Sequence, residues 1–212
     1  MTTVYFVRHG QSAANLSQTF AGHIDVALTE LGRRQAECTA DYLADVPLTA
    51  VYSSDLSRAY DTAYAIAQKH GLTVQTNPTL REIYAGEWEG RAYKELEATD
   101  PAYRIWVNEI GNATCTNGES VAQLQTRVAD AVGQIVARHP NETICIVSHG
   151  TPIRAMTAML TDTPLVRMHT VAWTSNASVT VAEFSSPFEG KIVSADLHDH
   201  LKDLVSKLPA NV

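Results

Sequence analysis

Two histidine–glycine pairs occupy similar positions in this sequence, each shortly after an apolar segment. His9 and Gly10 follow segment 4–7, and His149 and Gly150 follow segment 144–147. Short runs rich in β-branched and aromatic residues predict buried strands. In an open parallel sheet, ligands bind at the carboxyl ends of the strands. We therefore expect the two imidazoles to lie in one pocket.

Charged side chains follow the same predicted strands. Arg8 directly precedes His9, Arg58 comes after predicted strand 49–53, and Glu82 lies in a third loop. Guanidinium groups match phosphate oxygens two at a time. Neighbouring cations also lower the pKa of an imidazole and keep it unprotonated. These residues predict a phosphate site.

The same residue types can carry out phosphoryl transfer. An unprotonated imidazole such as that of His9 can attack phosphorus and form a covalent intermediate. The second imidazole, His149, can bind an equatorial oxygen as charge spreads in the transition state. The carboxyl group of Glu82 can protonate the departing alkoxide and later accept a proton from the attacking water.

Strand and helix signals alternate along most of the chain. Strands are predicted at 4–7, 49–53, 72–76, 143–148, 179–184 and 192–195. Helices are predicted at 29–44, at 55–70, between Ser120 and Pro140, and at 151–160. This alternation predicts an α/β fold, a three-layer α/β/α sandwich with a mostly parallel central sheet. The tail from His198 is expected to be a short helix or a frayed end.

Residues 91–118 interrupt the alternation. The segment is polar and aromatic, with Tyr93, Tyr103 and Trp106. We expect it to form a small helical cap beside the active site within a single domain that spans residues 1–212. Tyr103 and Trp106 are expected to form a small local core.

The composition disfavours nucleic acid and membrane partners. The chain has 212 residues and a formal net charge of −7, so a long-range attraction to nucleic acid or anionic lipid is not expected. No apolar segment approaches the ~20 residues of a membrane span. We expect a soluble, cytoplasmic protein whose partner is a small phosphorylated metabolite. The pattern leaves the oligomeric state open, a homodimer included.

Cysteine and histidine spacing argues against a metal site. The three cysteines, Cys38, Cys115 and Cys145, form no C-x-x-C pair and are expected to be reduced. The sequence 198–200 contains two histidines and an aspartate, but no further ligand lies at a suitable spacing. We therefore expect no metal.

Five motifs follow one another in order over residues 4–160. They are Arg8-His9-Gly10-Gln11-Ser12, Ser54-Asp55-Leu56-Ser57-Arg58-Ala59, Leu80-Arg81-Glu82, Gly118-Glu119-Ser120 and Val147-Ser148-His149-Gly150. Together they resemble the histidine phosphatase superfamily, the phosphoglycerate mutase-like phosphatases. The resemblance implies a phosphoglycerate mutase-like fold and catalysis without a metal or other cofactor.

The resemblance also implies a role for each matching residue. It makes His9 the phosphorylated nucleophile and Glu82 the proton donor. It assigns the phosphate pocket to Arg8, Arg58 and His149, with further phosphate contacts from Asn15 and the backbone of Gly150. It places Ala21, Gly22 and Tyr84 on the substrate side.

Two reactions remain open within this resemblance. Residues 82–90 are more similar to the phosphatase branch than to mutases, which typically continue as Glu-Arg-His-Tyr-Gly. Residues 91–119 carry three basic and five acidic side chains, a poor environment for a substrate with a second phosphate. The sequence favours hydrolysis of small phosphomonoesters through a phosphohistidine. The alternative is a cofactor-dependent phosphoglycerate mutase.

Overall fold

A six-stranded mixed sheet forms the centre of the protein. The computed structural model describes residues 1–206. The strands are β1 (Thr2–Arg8), β2 (Ala50–Ser53), β3 (Val74–Thr76), β4 (Thr143–Ser148), β5 (Val179–Ser186) and β6 (Glu189–Leu197). Their order is β3-β2-β4-β1-β5-β6. The first four are mutually parallel, and β5 and β6 are antiparallel to their neighbours.

Within residues 1–206, seven α-helices surround the sheet. They are α1 (Ala13–Ser17), α2 (Glu30–Tyr42), α3 (Ser57–His70), α4 (Tyr93–Thr99), α5 (Pro101–Glu109), α6 (Val121–Arg138) and α7 (Gly150–Leu160). Ser120 caps α6, because its hydroxyl accepts from the Gln123 N–H while the Gln123 side chain accepts from the Ser120 N–H. Among the described residues, no helix has the length and apolar character needed to cross a bilayer.

Alternating side chains of the strands build two separate cores. Val4 and Phe6 of β1 point to one face and pack with α6 and α7. Val7 points to the other face and packs with α2 and α3. This period of two is the geometry of a strand that is buried on both faces. The predicted three-layer α/β/α fold is confirmed.

The structure corrects several predicted boundaries. Helix α3 begins at Ser57 rather than at residue 55, because the backbone of Leu56 is extended. Strand β6 is longer than predicted, because its hairpin pairing with β5 continues from Ser186 to Val179. Helix α1 was not expected from the sequence. In the predicted tail, Asp199–Leu204 forms two short 3₁₀ turns separated by a kink at Lys202, and residues 207–212 lie outside the described part.

Helices α4 and α5 pack into the same core as α6. Tyr103 and Trp106 are buried in it, together with Leu96. Asp100 links the two helices, because its carboxylate accepts from the backbone N–H groups of residues 102 and 103 and from the indole N–H of Trp88. The helical segment is thereby attached to the sheet layer by side chains and backbone together.

The loop after β1 runs against the first turn of α2 with no space between the two backbones. A Cβ atom at Gly10 would collide with the carbonyl oxygen of Gly32. The loop therefore requires glycine at this position because of close packing rather than because of an unusual φ.

We predict that Gly10→Ala lowers the free energy of unfolding by about 3 kcal/mol, the upper part of the range for overpacking. Gly71, at the end of α3, has φ +63 and open space around it, so Gly71→Ala is the matched control. We expect Gly71→Ala to lower the free energy of unfolding by only about 1 kcal/mol, because an alanine at this positive φ is strained. Urea unfolding of both variants tests this, and equal losses would contradict the close-packing argument.

Candidate active site

The carboxyl ends of β1, β2 and β4 bring the predicted chemical groups together. These strands are adjacent and parallel, so the loops that follow them leave from the same edge. The His9 and His149 rings lie with centroids 5.1 Å apart, edge to face. Arg58 arrives on the first turn of α3, after β2. The strand order thus converts distant sequence positions into one site.

A backbone hydrogen bond sets the tautomer of His9. Its Nδ1 lies 2.7 Å from the carbonyl oxygen of Gly10. A carbonyl oxygen only accepts, so Nδ1 carries the hydrogen and Nε2 of the neutral ring keeps its lone pair. The loop itself is held by the Gly10 N–H, which donates to the Thr62 hydroxyl. Nε2 is therefore the nitrogen available as a nucleophile.

The second imidazole is held by Ser54. Nε2 of His149 lies 2.8 Å from the Ser54 hydroxyl, which also accepts from the N–H of Leu56. The ring is fully buried, and its Nδ1 has no hydrogen-bond partner among the described residues. A buried polar atom without a partner is unfavourable and is typical of a binding site.

Both arginines are buried and anchored by backbone carbonyls rather than by carboxylates. Arg8 donates from Nη1 to the carbonyl of Thr174 at 2.6 Å, and its buried Nε has no partner among the described residues. Arg58 donates from its two Nη atoms to the carbonyls of Ile24 and Gly22 at 3.0 and 2.9 Å. Carbonyl anchors orient a guanidinium without neutralising its charge.

Burial and these two cations keep both imidazoles unprotonated. The pKa of His9 lies well below its ordinary value, first because of burial and then because of Arg58 and Arg8. The pKa of His149 is lowered for the same reasons, with His9 adding to the effect. Burial also lowers the pKa of Arg58 to about 10, which leaves it charged at neutral pH. The site is thus cationic while its imidazoles are neutral.

Glu82 is oriented from both sides by backbone amides. Its two carboxylate oxygens accept from the N–H groups of Ile83 at 2.8 Å and Thr151 at 3.3 Å. Arg127 of α6 fixes the loop that carries it, donating to the carbonyls of residues 79, 81 and 82 while it pairs with Glu119. Sequence reasoning missed Arg127, because its helix position resembles an ordinary surface arginine.

A cavity opens onto these groups. Arg8, His9, Arg58 and Glu82 line it, together with Asn15, Ala21, Gly22 and Gly150. Asn15 is fixed by its Oδ1, which accepts from Ser12 and Asn176. Gly22 has φ +51, a left-handed conformation that turns its carbonyl toward Arg58.

Two predicted site residues do not line the cavity. Tyr84 is about half exposed, and its ring packs against His23 with a centroid distance of 5.3 Å. His149 lies beneath the cavity surface, fully buried. Tyr84 is therefore not among the residues that line the cavity, whereas the sequence placed it on the substrate side.

Several lining residues were not predicted from the sequence. Phe20, Tyr93, Trp106 and Trp173 form one side of the cavity. Trp106 and Tyr103 belong to the main core rather than to the small local core that the sequence predicted, because α5 packs into the same core as α6. The aromatic residues of segment 91–118 could have indicated Tyr93 and Trp106. Phe20 and Trp173 lie in loops, where no local sequence pattern indicates a role. Within residues 1–206, no three His, Cys, Asp or Glu side chains are grouped so as to hold a metal ion.

The lowered imidazole pKa values predict a stability loss in acid. Below pH 6.5 the unfolded chain binds protons that the buried His9 and His149 do not bind, so the free energy of unfolding falls as the pH decreases from 6.5 toward the lowered values. Each imidazole contributes at most ~1.4 kcal/mol per pH unit. His149→Asn should therefore flatten the dependence between pH 6.5 and 5, as measured by urea unfolding at each pH. An unchanged slope in the variant would contradict this account.

Sequence comparison places the chain among known proteins. The profile of the histidine phosphatase superfamily (branch 1) matches residues 4–192. Glucosyl-3-phosphoglycerate phosphatase of Mycobacterium tuberculosis is 32% identical over 182 residues, 82% of each protein. Phosphoserine phosphatase 1 of Hydrogenobacter thermophilus is 36% identical over 157 residues, 74% of each. Phosphoglycerate mutase-like protein 4 of Arabidopsis thaliana is 37% identical over 157 residues, 72% of this chain and 68% of the relative.

Solved structures agree with this comparison. Bacillus stearothermophilus YhfR superposes with a TM-score of 0.90 at 31% identity, covering 95% of this chain and 100% of that one. A vanadate complex of mycobacterial glucosyl-3-phosphoglycerate phosphatase gives a TM-score of 0.86 at 29% identity, covering 92% and 99%. With the imidazole pair, the two arginines and the matched profile, the chain belongs to the histidine phosphatase superfamily.

Proposed function

We propose that this protein hydrolyses small phosphomonoesters, without a metal, through a phosphohistidine on His9. The observation that carries the proposal is the state of His9: its ring is neutral, its Nδ1 is occupied by the Gly10 carbonyl, and two guanidinium groups flank it. A nucleophilic nitrogen beside two cations matches what an approaching phosphate dianion requires. The relatives support this reading, since two are named as phosphatases of small phosphorylated compounds.

In the first half of the reaction, Nε2 of His9 attacks phosphorus with its lone pair. The bond from phosphorus to the ester oxygen breaks, and that oxygen takes the electron pair and the proton of Glu82, which enters this step as the carboxylic acid. The alcohol leaves, and the phosphoryl group is bonded to His9. The backbone amides of Ile83 and Thr151 then hold the resulting carboxylate in place.

In the second half, a water molecule attacks phosphorus opposite the histidine. Glu82 accepts a proton from the water, the N–P bond breaks, and its electron pair returns to Nε2 of His9. Inorganic phosphate leaves, and the enzyme regains its starting protonation state. No redox step and no further reactant are needed.

Two of the groups that bind the phosphoryl oxygens have no partner among residues 1–206. Arg8 Nε is a buried donor without a partner among the described residues. The Ser54 hydroxyl can donate to Nε2 of His149, a tautomer in which the unpartnered Nδ1 carries a hydrogen for an equatorial oxygen. Such preorganised donors stabilise the charge that develops in the transition state. Arg58 supplies the third donor and the second positive charge.

The remaining site residues have supporting roles in this proposal. Asn15 and the Gly150 backbone contact the phosphoryl group, and Ala21 and Gly22 line the substrate side. We propose no substrate contact for Tyr84, because it lies outside the cavity. Residues 91–118 act as the cap of a single domain. The homodimer and the cytoplasmic location stay predictions.

We predict that His9→Ala abolishes turnover and phosphoenzyme formation. The protein is incubated with a ³²P-labelled monoester, quenched without acid and separated by electrophoresis. The unsubstituted protein should carry label, and the His9→Ala variant should not. His70→Ala, at the far end of α3, is the matched control and should keep its label and activity. Activity in EDTA should equal activity in buffer. Label on the His9 variant would refute the nucleophile, and loss of activity in EDTA would refute metal independence.

The same labelled protein separates hydrolysis from the mutase alternative. A phosphatase discharges its phosphoryl group to water within the turnover time, so the label appears as inorganic phosphate. A mutase retains it until a phosphoglycerate arrives and returns it to a hydroxyl group. If the labelled protein releases its phosphoryl group only after a phosphoglycerate is added, the protein is a mutase.

We predict that Glu82→Gln slows alkyl phosphates about 100-fold and aryl phosphates much less. Glutamine keeps the shape of the side chain but has no proton to give, and only a poor leaving group needs that proton. Single-turnover rates with glycerol phosphate and 4-nitrophenyl phosphate measure the difference. Equal slowing of both esters would exclude Glu82 as the leaving-group acid.

A further inference from the structure

One side of the active-site cavity is aromatic. We call Phe20, Tyr93, Trp106 and Trp173 the aromatic wall. Phe20 and Trp106 are buried and pack edge to face at 5.2 Å, so they form a rigid base. Trp173 is tilted by 37° from Trp106 at 6.4 Å and is only partly buried. A partly exposed indole therefore faces the space where a leaving group would lie.

Trp173 is held in place from its other side. The Arg154 guanidinium lies 4.3 Å from its ring centroid. Arg154 is itself buried and donates to the carbonyls of Val171 at 2.7 Å and His169 at 3.2 Å. The next residue, Thr174, supplies the carbonyl that anchors Arg8. The indole is thus fixed to the same loop that orients the phosphate pocket.

Trp173 also stands close to that pocket. A Cβ atom built on Gly150 would lie 3.5 Å from Trp173 Cζ3 and 3.3 Å from Arg8 Cζ. Arg8 and Trp173 therefore flank the same point of the Gly150 backbone. A leaving group attached to a phosphoryl group on Arg8 has the indole as a neighbour.

The lining of the cavity offers no positive charge for a second anionic group, since the Arg154 guanidinium beside Trp173 lines a neighbouring cavity instead. Among the described residues that line it, Arg8 and Arg58 are the only cations, and both belong to the phosphate pocket. Nearby Arg81 is paired with Asp55, and Arg91 is paired with Glu95. A carboxylate or second phosphate on the leaving group would lie near Glu82 without a partner of its own.

Tyr93 adds one polar group to the wall. Burial raises the pKa of its hydroxyl to about 12, so the group stays protonated at neutral pH and can donate. It makes no hydrogen bond to the described residues of the chain. A hydroxyl or ring oxygen of a leaving group would satisfy it.

We infer that the leaving group of this phosphatase is an uncharged sugar ring, so that the preferred substrate class is neutral sugar monophosphates. The carbon–hydrogen face of the ring packs on Trp173, whose π face is electron-rich, and a sugar oxygen accepts from Tyr93. This inference rests on the proposed function. In this inference the aromatic wall selects the leaving group, and the phosphate pocket carries out phosphoryl transfer.

The test compares kcat/KM for glucose 6-phosphate and ribose 5-phosphate with that for glycerol 3-phosphate and 3-phosphoglycerate. The value of kcat/KM should be highest for the two sugar esters and lowest for 3-phosphoglycerate. Trp173→Ala should lower the ratio of sugar to glycerol ester about tenfold, mainly through KM, and Trp173→Phe should restore most of it. Tyr64→Ala removes an exposed aromatic ring outside this cavity and should leave the ratio unchanged.

Tyr93→Phe keeps the packing and removes only the hydroxyl, so it tests the inference even where Trp173→Ala does not fold. It should lower the same ratio about fivefold. A ratio that is unchanged in both variants, or a preference for 3-phosphoglycerate, would overturn the inference while the phosphohistidine assay still supports hydrolysis. Absence of a phosphohistidine with every ester would instead overturn the proposed function, and the inference with it.

Discussion

The structure depends on keeping two adjacent imidazoles uncharged within a pocket that binds an anion. Burial removes the water that would stabilise an imidazolium, and Arg58 and Arg8 repel a proton on His9. The same two charges attract a phosphate. One electrostatic arrangement therefore serves both needs, because a cation that raises the affinity for phosphate also preserves the lone pair that attacks it.

Backbone groups rather than opposite charges orient the site. Carbonyls hold Arg8, Arg58 and His9, and amides hold Glu82. A carboxylate partner would have oriented each guanidinium more strongly but would have cancelled its charge before substrate arrived. Carbonyl anchoring leaves that charge available, and it makes the backbone of the loops around Gly22 and Thr174 part of the phosphate pocket.

The two ends of the substrate meet different parts of the fold. Loops at the carboxyl ends of parallel strands hold the phosphoryl group, and their geometry follows from the sheet. The aromatic wall comes from α4, α5, the loop that carries Phe20 and the loop 171–174, which pack on the sheet layer without being part of it. This separation allows the wall to change the leaving group accepted while His9 and its neighbours keep the same chemistry.

The sequence by itself determined the layers and the centre of the chemistry. The apolar segment 4–7, the Ser120 cap and the two His-Gly pairs are local patterns, and the structure places each of them as the sequence predicted. Tertiary structure alone decided the positions of Trp173, Arg127 and Tyr84. Arg127 acts on carbonyls about 45 residues away in sequence, and Trp173 lies beside the pocket where it packs on Trp106 and Arg154. Such contacts depend on packing between distant segments, which leaves no periodic trace in the sequence.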